Sequence, residues 1–110
     1  DMLRGLDPER TRANLDGIVT RLQQRNIPVM VAGMLAARNL GAEYAGRFDG
    51  IFPGIAQKRG VVLYPFSLDG VAGQQRLNLA DGIHPNADGV KVMVERILPT
   101  VETFLARLRS

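Results

Sequence analysis

Apolar residues recur along this chain with a helical spacing in some stretches and as short unbroken runs in others. After Asp7-Pro8-Glu9, the residues Leu15, Ile18, Val19 and Leu22 fall at i, i+3, i+4 and i+7, which lines them along one helix face. An Asp that can cap, a Pro at the first helical position and an acid near the positive helix end mark the start. The helix should run to about Arg25, with Asn26 as its stop. Pro28 then opens the run Val29-Met30-Val31-Ala32, bounded by Gly33. Apolar on both sides of the pleat, it reads as a strand buried in a parallel sheet.

Met34 to Gly41 reads as a loop. A second helix comes next, carrying Tyr44, Phe48, Ile51, Phe52 and Ile55 on one face and ending near Lys58-Arg59-Gly60. The basic pair suits the negative helix end, and Gly60 is a natural cap. Val61-Val62-Leu63-Tyr64 is a second buried strand, and Phe66 to Ala80 is a long loop containing Gly70 and Gly73. Asn86 can cap a last helix, on which Val90, Met93, Val94, Ile97, Val101, Phe104, Leu105 and Leu108 keep one stripe. Pro99 lies inside that stripe and predicts a kink or a restart.

Helix, strand, helix, strand, helix is an α/β order with parallel strands. Two strands apolar on both faces are too few, because each needs neighbours for its backbone edges. Half of a domain is therefore expected. The opening Asp1-Met2-Leu3-Arg4 has neither an initiator methionine nor a basic region followed by an apolar core, as expected of a fragment or a processed product.

Composition narrows the classes. With 45% hydrophobic and 23% charged residues among 110, the chain is ordinary for a globular protein and unlike a disordered tail. The longest uncharged stretch, Asn26 to Ala37, is interrupted by Pro28 and Gly33 and falls short of the ~20 residues a membrane helix requires. Without cysteine there are no disulfides, thiolate metal sites or cysteine nucleophile. The net charge of +3 invites a nucleic-acid reading, but the arginines are spread along the chain. Those of the first helix alternate with Glu9 and Asp16, and no aromatic interleaves a basic cluster as base stacking needs. Nucleic acid is rejected as a partner.

The chain's one histidine, His84, stands three residues after Asp81 in a turn ahead of the last helix. Such a pair can be catalytic. An imidazole serves as general base near neutral pH, and a carboxylate on its Nδ1 fixes the tautomer and stabilises the imidazolium. Gly82 relaxes the backbone between them, and the turn comes after the second strand, at the sheet end where open α/β folds place their sites. A bare D-x-x-H is also what a capped turn with a surface imidazole looks like, and as a short motif it leaves that alternative open. A metal site would need further ligands nearby that the sequence does not offer.

Asp81-Gly82-Ile83-His84-Pro85-Asn86-Ala87-Asp88-Gly89 resembles the fifth block of the SGNH hydrolases, the GDSL lipase-esterases, whose D-x-x-H-P-N holds the catalytic acid and base. Asn39-Leu40-Gly41, Tyr44 and Phe48 are similar to the segment after the fourth strand in bacterial arylesterases and thioesterase-I/lysophospholipase-type enzymes. Ile51-Phe52-Pro53 and Leu63-Tyr64-Pro65-Phe66 continue the likeness in order, while Leu35-Ala36-Ala37-Arg38 departs from the proline-bearing version of close relatives. Asp1-Met2-Leu3-Arg4-Gly5 resembles the residues directly after G-x-N in the third block.

The resemblance covers essentially the whole chain. It implies a three-layer α/β/α, flavodoxin-like fold with a parallel sheet, of which residues 1–110 are the C-terminal part. It also implies carboxylic-ester or thioester hydrolysis by a Ser-His-Asp triad to which this chain gives Asp81 and His84. The implied partners are an N-terminal segment carrying the catalytic serine and an acyl ester or thioester substrate. Neither metal nor organic cofactor is implied, and a periplasmic or secreted location is. The family's G-D-S serine, and the glycine and asparagine that complete its oxyanion hole, find no counterpart here. Ser67, in Pro65-Phe66-Ser67-Leu68, and the terminal Ser110 are the only serines, and neither has a nucleophile's context. This chain alone is therefore expected to be inactive. Met34, Leu35 and Leu40 could equally line an acyl pocket or anchor their loop. The competing reading is a small non-enzymatic α/β module that binds a partner along its open sheet edge.

Overall fold

The computed structural model describes residues 5–109, the Arg38 side chain excepted. Residues 1–4, where the third-block likeness begins, and Ser110 lie outside the described residues. The chain divides into two compact units, Asp1–Pro65 and Phe66–Ser110.

The first unit begins with helix α1, Pro8–Gln24, capped by an Asp7 carboxylate oxygen that accepts from the Glu9 N–H at 3.0 Å. It ends where expected. Asn26 takes a left-handed φ of 58°, which asparagine tolerates, and its N–H turns back to the Gln23 carbonyl. Val19 is buried and Leu15 packs against the core, but Ile18, from the same apolar face, is 56% exposed.

The single second helix expected from periodicity is two: α2, Ala42–Asp49, and α3, Ile51–Arg59, meeting at Gly50. Pro53 is the physical reason. It has no N–H to give the Asp49 carbonyl, and its ring crowds that carbonyl, so a helix containing it restarts with the proline in its first turn. Gly60 closes α3 with a left-handed φ of 67°.

Strands β1, Met30–Ala32, and β2, Val62–Tyr64, pair in parallel, with Val31 opposite Leu63. That face packs with residues of α1, α2 and α3 into one core of Val19, Val31, Ala36, Ala45, Phe48, Ile51, Phe52 and Ile55. Phe48 is its centre, with Tyr44 stacked on one side at 6.4 Å and Phe52 edge-on at 5.7 Å. Burial on both sheet faces, expected from the apolar runs, is incomplete. Of the residues pointing the other way, Tyr64 is buried, Met30 and Val62 are half-buried, and Ala32 is exposed. One layer of helices covers one face of a sheet, and a second face needs a second layer.

Polar contacts lock the helices. Arg59 grips the Asp16 carboxylate with two bonds of 2.7 and 2.9 Å, and Gln23 donates to the Arg59 carbonyl at 2.8 Å, fastening α1 to α3. Arg59, foremost, holds the Asp16 carboxyl down at about 2. Gly33, which leaves β1, donates to the Tyr64 carbonyl at 2.7 Å, and a Cβ there would sit 2.4 Å from the Pro65 carbonyl oxygen. No larger residue fits that crossing without moving backbone.

The second unit holds the long loop, which contains a short 3₁₀ turn at Gln75–Leu77, and helix α4, Ala87–Leu108. Its buried hydrophobics are Val71 and Leu77. Of the kink or restart expected at Pro99, the restart does not occur, since α4 runs unbroken through it. The proline leaves the Glu95 carbonyl without its helical donor, and both residues are exposed, so water can supply one. The α4 stripe is only partly covered: Met93, Ile97, Val101 and Phe104 are half-buried, whereas Val90, Val94, Leu105 and Leu108 are exposed. Among the described residues, no helix is long and apolar enough to cross a membrane.

Candidate active site

The two residues singled out by the sequence meet. Gly82, with a left-handed φ of 70°, closes a turn in which its N–H reaches the Leu79 carbonyl at 2.9 Å. The turn folds Asp81 over the start of the next segment. One oxygen, Oδ1, accepts from the Ile83 and His84 backbone N–H groups at 2.9 and 3.1 Å. The other, Oδ2, lies 2.7 Å from His84 Nδ1. His84 first, then the two backbone donors, hold the Asp81 carboxyl at about 2, so it is ionised across the neutral range.

Asp81 is thus at once the cap of an Asx-type turn and the partner of the imidazole, so the two readings left open by the bare motif coexist in one side chain. With a proton on Nδ1 donated to Asp81, the Nε2 edge presents a lone pair. The imidazole is 70% exposed, so hydrogen bonds rather than packing set its position.

The turn is pinned from behind. Leu79 N–H donates to the His84 carbonyl at 2.8 Å and Asn86 N–H to the Leu77 carbonyl at 3.0 Å, around an isolated antiparallel bridge between Asn78 and Pro85. The Asn86 amide group donates to the Arg76 carbonyl at 2.9 Å and the Asn78 carbonyl at 3.3 Å, while its oxygen caps α4 by accepting from Gly89 N–H at 2.9 Å. Asn78 in turn donates to the Val71 and Gln74 carbonyls at 2.9 and 2.8 Å. Gly89 is buried against this ladder, and a Cβ on it would stand 2.1 Å from the Leu77 carbonyl oxygen.

Sequence reasoning gave Asn86 no role beyond a helix cap within the D-x-x-H-P-N block, quoted Gly89 in that likeness without a role, and passed over Asn78. The signal for Gly89 was present, because glycine within the first helical turn is unfavourable without a packing reason. Asn78 gave no signal, since its partners lie in an irregular loop.

A cavity of about 500 Å³ opens beside the turn, bordered by Gly73, Gln74, Gln75, Leu79 and Gly82, with no charged side chain in its lining. Ser67 is half-buried and makes an interaction of its own. Of the three residues that were either pocket or anchor, Met34 packs against the core, while Leu35 and Leu40 are half-buried. Among the described residues, no three His, Cys, Asp or Glu side chains gather as metal ligands would.

Comparison with known proteins places this chain in a family. The model of the GDSL-like Lipase/Acylhydrolase family matches residues 1–92. Esterase TesA of Pseudomonas aeruginosa is 30% identical over 105 residues, which are 96% of this chain and 52% of that protein. Thioesterase 1/protease 1/lysophospholipase L1 of Escherichia coli K12 is 32% identical over 88 residues, 80% of this chain and 42% of that protein. The crystal structure of AlinE4, a SGNH-hydrolase family esterase, is 45% identical, with a TM-score of 0.71 over 94% of this chain and 55% of that one. The chain spans about half the length of the curated relatives it matches. Its α/β architecture is that of the SGNH hydrolases, and by the extent of the family match the chain belongs to the GDSL-like lipase/acylhydrolase family.

Proposed function

We propose that this chain supplies the acid and base of a Ser-His-Asp triad that hydrolyses carboxylic esters or thioesters, with the serine borne by a polypeptide segment beyond these 110 residues. The observation that carries the reading is the 2.7 Å contact between Asp81 Oδ2 and His84 Nδ1 beside an exposed ring edge. His84 Nε2 takes the proton of the serine hydroxyl as its oxygen attacks the acyl carbon. Asp81, ionised, stabilises the imidazolium that results. Collapse of the tetrahedral intermediate breaks the bond to the alcohol or thiol, which leaves with the proton from Nε2. Water, deprotonated by the same nitrogen, then attacks the acyl-serine and frees the acid. The uncharged lining of the adjacent cavity suits a neutral ester, which would leave no buried charge unpaired. The names of the relatives, esterase and thioesterase, support the same substrate class.

The test is p-nitrophenyl ester hydrolysis by the full-length protein. His84→Ala should lower kcat by on the order of 10⁴ or more, and Asp81→Asn by a similar or smaller factor, with circular dichroism unchanged and KM moving less than kcat. The 110 residues alone should show no turnover. A His84→Ala protein retaining more than about a tenth of wild-type kcat, far above the residual of a lost general base, would remove the triad reading and leave a capped turn.

A further inference from the structure

We propose that Asn86 is a positioning residue, whose side-chain amide fixes where the His84 imidazole stands. The inference rests on the triad reading and extends it to a residue two positions away. His84 is not held by packing, because most of its ring is open to solvent. Its place therefore depends on the backbone beneath it, which is secured by few bonds. Pro85 has no N–H, so among the backbone bonds of the described residues the Leu79–His84 and Asn86–Leu77 pair joins the His84 segment to the stretch behind it.

Asn86 adds what that short ladder lacks. Its amide nitrogen donates to the carbonyls on either side of Leu77, those of Arg76 and Asn78, while its oxygen holds the Gly89 N–H. Three segments are fastened by one side chain: the Arg76–Asn78 stretch, the His84 turn and the first turn of α4. A helix cap needs only the acceptor, and Ser or Asp would serve as well. Acceptor and two donors together require a carboxamide, and after the cap is satisfied the donors remain to be explained. They lead inward, because Asn78 passes the connection to the carbonyl of Val71, which is fully buried. An exposed imidazole is thereby referenced to a buried point through two asparagines.

Asn86→Ser in the full-length protein separates the two roles, since serine keeps the cap and loses both donors. The expected result is a kcat lower by roughly 10- to 100-fold, as for a misplacement on the ångström scale, with KM within about twofold, at temperatures well below the variant's thermal midpoint. The downfield proton resonance of the His84 Nδ1–H should broaden or vanish in the same variant, which loss of a cap alone would not cause. Asn86→Asp, a cap of equal quality, carries the same test should the serine variant fail to fold. If either folded variant keeps kcat within about twofold of wild type, far from the loss that misplacement brings, and its Nδ1–H resonance is unmoved, Asn86 is a cap and nothing more. Undiminished turnover in His84→Ala would instead overturn the triad reading, and this inference with it.

Discussion

The two units of this chain are held together by different means. In the first, the side chains of α1, α2 and α3 close over the Val31–Leu63 face of the sheet, and eight of the described buried hydrophobics form that core. Among its described hydrophobics the second buries only Val71 and Leu77, and leaves Leu79, Ile83, Val90, Val94, Leu98, Leu105 and Leu108 exposed. What fixes its shape is polar: two asparagine side chains, an Asp that accepts three hydrogen bonds, and one glycine seated on a carbonyl. Apolar burial is non-directional, whereas a hydrogen bond weakens steeply away from its axis, so a hydrogen-bonded turn specifies direction. The residues proposed for chemistry are on the unit that specifies direction.

Substitutions can break or sharpen that contrast. Phe48→Ala removes an aromatic ring from the centre of the first core and should cost about 3–5 kcal/mol in chemical denaturation of the full-length protein. Val94→Ala, on the exposed side of α4, should stay within about 0.5 kcal/mol by the same measurement. A cost for Val94→Ala approaching that of Phe48→Ala would mean that the stripe is covered in the intact protein, and the contrast would belong to these 110 residues only.

Gly89→Ala should be intermediate. Its Cβ would press on the Leu77 carbonyl, and crowding of this kind typically costs about 1–3 kcal/mol. Because the displaced backbone is the one behind His84, ester turnover should fall more than the lost stability explains. Gly33→Ala, with a comparable clash in the first unit, provides the control: equal destabilisation with kcat unaffected.

Acid should act on both units alike. Asp16 and Asp81 both have carboxyls lowered from 3.8 to about 2 in the fold, by Arg59 in one case and by His84 with two backbone donors in the other. A carboxyl lowered by folding contributes stability that is fully present above its unfolded value and is lost as pH falls through its folded one. Thermal midpoints should therefore drop between about pH 4 and pH 2, and Asp16→Asn or Asp81→Asn should each flatten part of that drop. An unchanged slope in Asp81→Asn would show that its hydrogen bonds persist to a similar degree in the unfolded chain.

The sequence spoke clearly where structure is local and periodic. The Asp7-Pro8 start of α1, the Gly60 cap and the two apolar runs all stand where their residue types put them. The two prolines were harder: the break came at Pro53, and of the kink or restart expected at Pro99 the restart did not come. Pro53 divides what periodicity joins, because the apolar face continues from Phe48 to Ile55 whether or not the backbone does. Pro99 fails to divide α4, because the carbonyl it deprives is at the surface, where water removes the penalty. At the site, Asp81 and His84 were legible because their relation is contained in three residues. The role of Asn78 was not, since its meaning comes from the carbonyls of Val71 and Gln74, presented by turns that no periodicity announces.

The closeness of Asp81 and His84 along the chain also bears on when they meet. Asp16 and Arg59 are 43 residues apart, while Asp81 and His84 are three apart. Loop-closure entropy grows with the logarithm of separation, which makes the shorter closure cheaper by on the order of 2 kcal/mol. The short one can also form on the submicrosecond scale of local loop closure, ahead of the longer one. An acid and base joined in this way face each other even while α1 and α3 are apart. Partial opening of the first unit then leaves the imidazole oriented, and on the proposed triad the serine and its oxyanion-hole donors would be brought to a histidine already aimed.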